Sequence, residues 1–161
     1  MATKQQFQPP SNHFLKTLGY RFSRILLNYD NMYSENYLWR AVVVNALEDT
    51  MIRRDDRKSS TLKTNAHNWV LGNSFGYDRV CHWAMLDPEQ VSNAYMEALK
   101  KGNIIFTSKH LHWHLYNTLS KKHKNCSDVR IKNTIKKEMR FLRQKAVNEK
   151  GELITNVCSV L

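Results

Sequence analysis

Glycine, proline and cysteine are scarce in this chain, with five, three and three residues among 161. Without a GxGxxG or GK[ST] pattern, so few glycines exclude a phosphate-cradling loop. The cysteines, at 81, 126 and 158, form no CxxC pair. They are too scattered for a disulfide framework, which points to a reducing compartment. The longest clean apolar run, Ala41-Val42-Val43-Val44, falls far short of a membrane span. No charged-then-apolar leader with a cleavage site opens the sequence, so the expected location is cytoplasmic, bacterial or host, and nucleoid-associated. Acidic residues are also few, 14 against 25 Lys and Arg, for a formal charge of +11 and a pI near 9.7.

What is present reads as globular. Apolar residues make up 42% and charged residues 24%, enough apolar side chain for a packed core. The length suits one domain. Of the +11, +10 lies in the last 62 residues. A field so lopsided steers polyanions to one end of the molecule, whereas a lysine-rich face that merely solubilises would need no such focus.

Periodicity predicts a mainly α protein. Residues 1–11, ending Pro9-Pro10-Ser11, have no apolar period and read as a flexible arm; residues 12–161 read as one helical domain. Helices are expected over about 13–29 and about 35–54, the second burying Leu38, Ala41, Val42, Leu47 and Met51, although its valines would also suit a strand. Residues 53–63 (RRDDRKSSTLK) read as a polar connection. Ala66, Trp69 and Val70 mark a short helix stopped by Gly72. A ten-residue helix follows with Tyr77, Val80, Cys81 and Ala84 at i, i+3, i+4, i+7. Asp87-Pro88 opens the next, whose buried face is Val91, Ala94, Tyr95, Ala98 and Leu99 and which Gly102 ends. Residues 104–106 and 153–160 are expected to pair as a small two-stranded β element. Between them Ser108 should cap a helix burying Leu111, Leu115 and Leu119. Ser127 or Asp128 should start the longest helix, with Ile131, Ile135, Met139, Leu142 and Ala146 as its stripe. The core is therefore placed at about 64–102 and a basic helical pair at about 108–148.

Within that core Val80, Ala84, Leu86, Val91 and Ala94 recur at the offsets of a helix-turn-helix unit, with small Cys81 where the helices approach. Generic helix packing would produce a similar pattern. Met85 stands where a glycine usually relieves the turn, which suggests a turn of another type.

Leu38-Trp39-Arg40-Ala41-Val42, Ala46-Leu47-Glu48-Asp49, Trp69, and Val80-Cys81 with Ala84, Leu86-Asp87-Pro88 and Val91 together resemble a signature of small phage and proteobacterial proteins. The resemblance covers about residues 38 to 99. It implies a phage-like origin and a helical, helix-turn-helix-like core. It carries over no catalytic residues and does not reach the basic segment after Gly102.

Electrostatics decide where nucleic acid would be gripped. On the 88–100 helix the polar candidates are Glu89, Gln90, Ser92, Asn93 and Glu97. Gln90 and Asn93 suit adenine, but the two carboxylates would meet phosphates. The grip is therefore expected from Lys121, Lys122, Lys124, Arg130, Lys132, Lys136, Lys137, Arg140 and Arg143.

His110, His112 and His114 alternate around Leu111 and Trp113. His110 and His114 share a helix face, but the glutamate of HExxH is absent and only His123 and Cys126 lie near enough to add a ligand, so no metal is expected. Trp113 and Tyr116 either stack on bases or pack in the core. Glu48-Asp49 and Asp55-Asp56 are adjacent pairs that diverge on a helix, no G-x-S-x-G elbow is present, and Cys81 reads as buried. The sequence thus predicts a non-enzymatic DNA-binding protein of regulatory or accessory role, with DNA ahead of RNA, no cofactor and no membrane. The alternative is a module that engages a host protein such as RNA polymerase or a nuclease through an acidic groove.

Overall fold

A computed structural model describes residues 25–26, 33–72, 76–155 and 157. The expected 1–11 arm, nearly all of the helix expected over 13–29, and the far end of the 153–160 strand lie outside these residues. The fold is mainly α with one small antiparallel sheet. Its order is α1 (Ser34–Thr50), α2 (Arg57–Val70), α3 (Tyr77–Trp83), α4 (Pro88–Lys100), β1 (Phe106–Thr107), α5 (Ser108–Asn125), α6 (Val129–Asn148) and β2 (Leu153–Ile154). The described residues form two compact units. One comprises those of Met1–Met51 and Ala66–Ile104, the other those of Ile52–Asn65 and Ile105–Leu161.

In the first unit, α1 buries Arg40, Val43, Val44, Leu47 and Thr50. The expected face was different, for Leu38 is 57% exposed and Val42 is exposed as well. The helix turns an arginine inward because the chain places carbonyls there for it to hold. Arg40 donates from Nε and Nη2 to the Ala84 carbonyl at 3.2 and 3.0 Å, from Nη2 to Met85 at 3.2 Å, and from Nη1 to Leu26 at 3.2 Å. One turn earlier, Asn36 Nδ2 donates to the Trp83 carbonyl at 2.7 Å. Two side chains on one face of α1 therefore take three successive carbonyls at the end of α3, groups that a helix C-terminus leaves without partners.

That end is a Schellman cap. Leu86 N–H donates to Cys81 and Met85 N–H to His82, at 2.8 and 3.0 Å. Met85 holds φ +53°, the conformation a glycine adopts easily. The expectation of another turn type is thus corrected: the turn keeps its left-handed residue, and the clamp from α1 compensates for its strain. Gly102 plays the same part after α4, with φ +73°. Asp87 opens α4 as expected, its carboxylate accepting from Glu89 N and Gln90 N. Cys81, Ala84, Leu86, Val91, Ala94, Tyr95 and Ala98 are buried between these helices.

The polar connection expected over 53–63 is instead the start of α2. Asp56 ends the extended stretch and caps the helix, accepting from Ser59 N at 3.0 Å and Ser59 Oγ at 2.8 Å. Its buried positions are Ser60, Lys63, Thr64, Ala66, His67 and Val70, which contain the same i, i+3, i+4, i+7, i+10 set as α1. Polar side chains fill most of it, which hid the period. The residues from Ala66 onward belong to the first unit, where His67 Nδ1 meets the Tyr95 hydroxyl at 2.7 Å and Ser92 Oγ donates to the Val70 carbonyl at 2.8 Å.

In the second unit, Phe106 pairs with Ile154 and Thr107 with Leu153. The small antiparallel sheet is the expected element, but of the expected 104–106 strand only Phe106 takes part, joined by Thr107. Beside it Ser108 N–H donates to the Glu152 carbonyl at 2.8 Å, and Glu152 N–H to Ser108 Oγ at 3.0 Å. A Cβ at Gly151 would stand 3.2 Å from Thr107 Cβ and Oγ1, so the returning chain passes close to the start of α5 here.

Candidate nucleic-acid interface

The +10 segment folds largely into a helical hairpin of α5 and α6, packed together across the three-residue connection 126–128. Thr107, rather than the expected Ser108, is the N-cap of α5, in a capping box with His110 at N3. His110 Nδ1 accepts the Thr107 N–H at 2.9 Å while Nε2 lies 3.0 Å from the Arg54 carbonyl, so this buried ring is neutral with its proton on Nε2. Lys63 is buried nearby, donating to the Ile52 carbonyl at 2.6 Å with its ammonium 4.6 Å from the Phe106 ring centre. Burial, helped by Arg53, pushes this ammonium down to about 8.

The face of α5 turned inward is only partly the expected leucine stripe, of which Leu111 and Leu119 are half-buried. His110 and Trp113 are its buried residues, and Leu115 is exposed. Polar docking of α2 sets this rotation. Arg57 lies 4.7 Å over the Tyr116 ring and its Nε donates to Asn117 at 3.2 Å, and Asn117 Nδ2 donates to Thr61 at 2.8 Å. Trp113 meets Tyr116 edge to face at 5.6 Å. Of the two roles open to Trp113, packing is the one it fills.

Lys122, His123 and Lys124 end α5, where cations suit the negative end of the helix dipole. Asp128 caps α6, accepting from Arg130 N at 2.7 Å and Ile131 N at 3.2 Å. Of the expected α6 stripe, Ala146 is buried and Ile135, Met139 and Leu142 half-buried, whereas Ile131 is exposed. It lies in the first turn, next to the connection, with little left to pack against.

All nine basic residues singled out in the sequence stand on this hairpin. Lys132 is half-buried, and Lys121, Lys122, Lys124, Arg130, Lys136, Lys137, Arg140 and Arg143 are exposed. Lys132, Lys136, Arg140 and Arg143, at steps of four, four and three, run along one side of α6. Between Ser108 and Asn148 the only carboxylates are Asp128, spent on the cap, and Glu138. Among the described residues none of the nine pairs with a carboxylate; the ion pairs of this unit are Arg54–Asp56, Lys109–Asp55 and Lys145–Glu149. Gln90 and Asn93 are exposed on α4, in the other unit, and are not part of the hairpin.

Of the other chemistry-bearing groups, the Cys81 thiol is buried and pushed up to about 11 by that burial, beyond use as a thiolate near neutrality. Burial also lowers the pKa of His112 and His114. Among the described residues no three His, Cys, Asp or Glu side chains gather as metal ligands, and none of the helices is long and apolar enough to cross a membrane. Sequence reasoning missed Arg40, Lys63 and His110 as structural polar groups. For Lys63 the signal was there, since 60, 63, 64, 67 and 70 keep a helical period whatever their polarity. No family model, curated protein or solved structure matches the chain.

Proposed function

We propose that this chain is a non-enzymatic nucleic-acid-binding protein, acting on DNA in the cytoplasm in a regulatory or accessory role. One observation carries the reading: nine cations on a single helical hairpin, none of them paired with a carboxylate among the described residues. Cations left unpaired in this number are held for an external polyanion, and phosphates that replace their own counterions with these side chains gain affinity by ion release. The phage-like origin implied by the sequence resemblance fits such a role.

The test is binding to random-sequence duplex DNA across a salt series. Engagement of about six phosphates should give a log–log slope of about −5. Reversing Lys132, Lys136 and Arg140 to glutamate should abolish binding and leave the circular dichroism spectrum and melting temperature as in the wild type. Equal binding by this variant at matched salt would refute the proposal. A second reading, docking to an acidic protein groove, draws on the exposure of Val129, Ile131, Phe141 and Val147 on the same hairpin. It is supported instead by absence of DNA binding even at low salt.

A further inference from the structure

Resting on the nucleic-acid reading, we infer that α6 enters the major groove of B-form DNA and reads bases through Arg130, Asn133 and Gln144. The burial pattern sets the helix's orientation. Ile135, Met139, Leu142 and Ala146 face the rest of the unit. At 100° per residue the line opposite them passes through Arg130, Asn133, Lys137 and Gln144, all exposed. These are the side-chain types that form bidentate pairs with base edges. Arginine matches guanine O6 and N7, and asparagine and glutamine match adenine N6 and N7.

The cation-bearing flank agrees with this placement. Lys132, Lys136, Arg140 and Arg143 lie to one side of that line, where phosphates of one strand would pass. Glu138, the one carboxylate within Val129–Asn148, lies toward the opposite flank. Polar readers on the outward line with cations beside them is the division of labour a groove-bound helix needs, because phosphate contacts position and base contacts specify. At 20 residues α6 is about 30 Å long, and a helix about 10–12 Å across fits a groove about 12 Å wide. The major groove of A-form RNA is too deep and narrow to admit it. The α4 helix lacks this arrangement, since it carries no cation before Lys100 to accompany Gln90 and Asn93.

The experiment uses the full chain with three probes at matched salt: random-sequence duplex DNA, duplex RNA of the same sequences, and a random duplex DNA pool carried through rounds of selection. Duplex DNA should bind at least about tenfold more tightly than duplex RNA, a gap of one decade in Kd. Selection should enrich a motif containing adenines. The double variant Asn133→Ala, Gln144→Ala should bind random duplex DNA with the same salt slope as wild type, because phosphate contacts are untouched. It should lose the adenine preference. Equal affinity for DNA and RNA, or an unchanged motif from the double variant, would overturn groove entry by α6 while leaving nucleic-acid binding intact. Failure of both nucleic acids to bind at low salt would overturn both readings.

Discussion

The guanidinium of Arg40 and the carbonyl of Ala84 meet through two hydrogen bonds, at 3.2 and 3.0 Å, inside the core of the first unit. Arg40 is 2% exposed, and each donor so placed replaces water that the end of α3 would otherwise require. Arginine suits the task because its planar fork reaches the adjacent Met85 carbonyl at the same time. Replacing it with methionine should cost about 3–5 kcal/mol, since buried carbonyls lose their donors. Lysine should recover only part of this loss. Chemical denaturation of the three proteins measures it, and an Arg40→Met variant within about 0.5 kcal/mol of wild type would show that the clamp contributes nothing.

Met85 holds its left-handed backbone because Arg40 and the Schellman bonds over-determine the turn. A non-glycine residue there costs about 1–2 kcal/mol. Its side chain is 51% exposed, so little packing is lost on truncation. Met85→Gly should therefore stabilise the protein by about 1 kcal/mol, after the extra flexibility of glycine in the unfolded chain is allowed for. A lower denaturation midpoint for the variant would mean that the methionine side chain contributes more than its exposure suggests.

Val91 is 0% exposed beneath α3 and α4, whereas Ile131 is 53% exposed in the first turn of α6. Both look like core residues in the sequence. Val91→Asp should cost several kcal/mol, enough to unfold a marginal domain, because the carboxylate has no partner there. Ile131→Asp should leave the melting temperature within about 2 °C of wild type. Similar losses from both would place Ile131 in the core.

On α4, where apolar residues carry the helical period, sequence and structure agree. The 88–100 helix, its Asp87 cap, its buried Val91, Ala94, Tyr95 and Ala98, and the pairing of the segments near 106 and 154 were all legible. The misreadings on α1 and α2 share one cause. On α1 and α2 the inward face includes Arg40, Thr50, Ser60, Lys63, Thr64 and His67; Arg40, Thr50, Lys63 and Thr64 donate to backbone carbonyls and His67 meets the Tyr95 hydroxyl. Hydrophobicity cannot show such a face, since a buried lysine and a solvated one look alike until a carbonyl such as that of Ile52 is found beside it. The basic hairpin was legible for the opposite reason. Among the described residues its nine singled-out cations pair with no carboxylate, so composition alone locates them.

His110 links the base of that hairpin to pH. Burial holds its imidazole below the ordinary value of 6.5; Lys63 pushes the same way, against the Arg54 carbonyl and the Asp55 carboxylate. In the unfolded chain the ring takes up a proton as pH falls through about 6.5, whereas in the folded chain it resists until lower pH. Over that interval the unfolded state binds more protons, so stability is complete above 6.5 and declines as pH falls below it. One such group contributes a slope of at most about 1.4 kcal/mol per pH unit. His110→Gln isolates the contribution, because glutamine at N3 retains the capping pattern begun by Thr107 and does not titrate. At pH 7.5 the variant should be close to wild type in stability. Between pH 6.5 and about 5 it should lose stability less steeply, the remaining slope coming from His112 and His114, which burial also lowers. Urea unfolding of both proteins at half-unit steps of pH measures the difference. Parallel curves over that interval would show that the His110 ring takes up its proton as readily in the folded state as in the unfolded one, contrary to its place between Thr107 and Arg54.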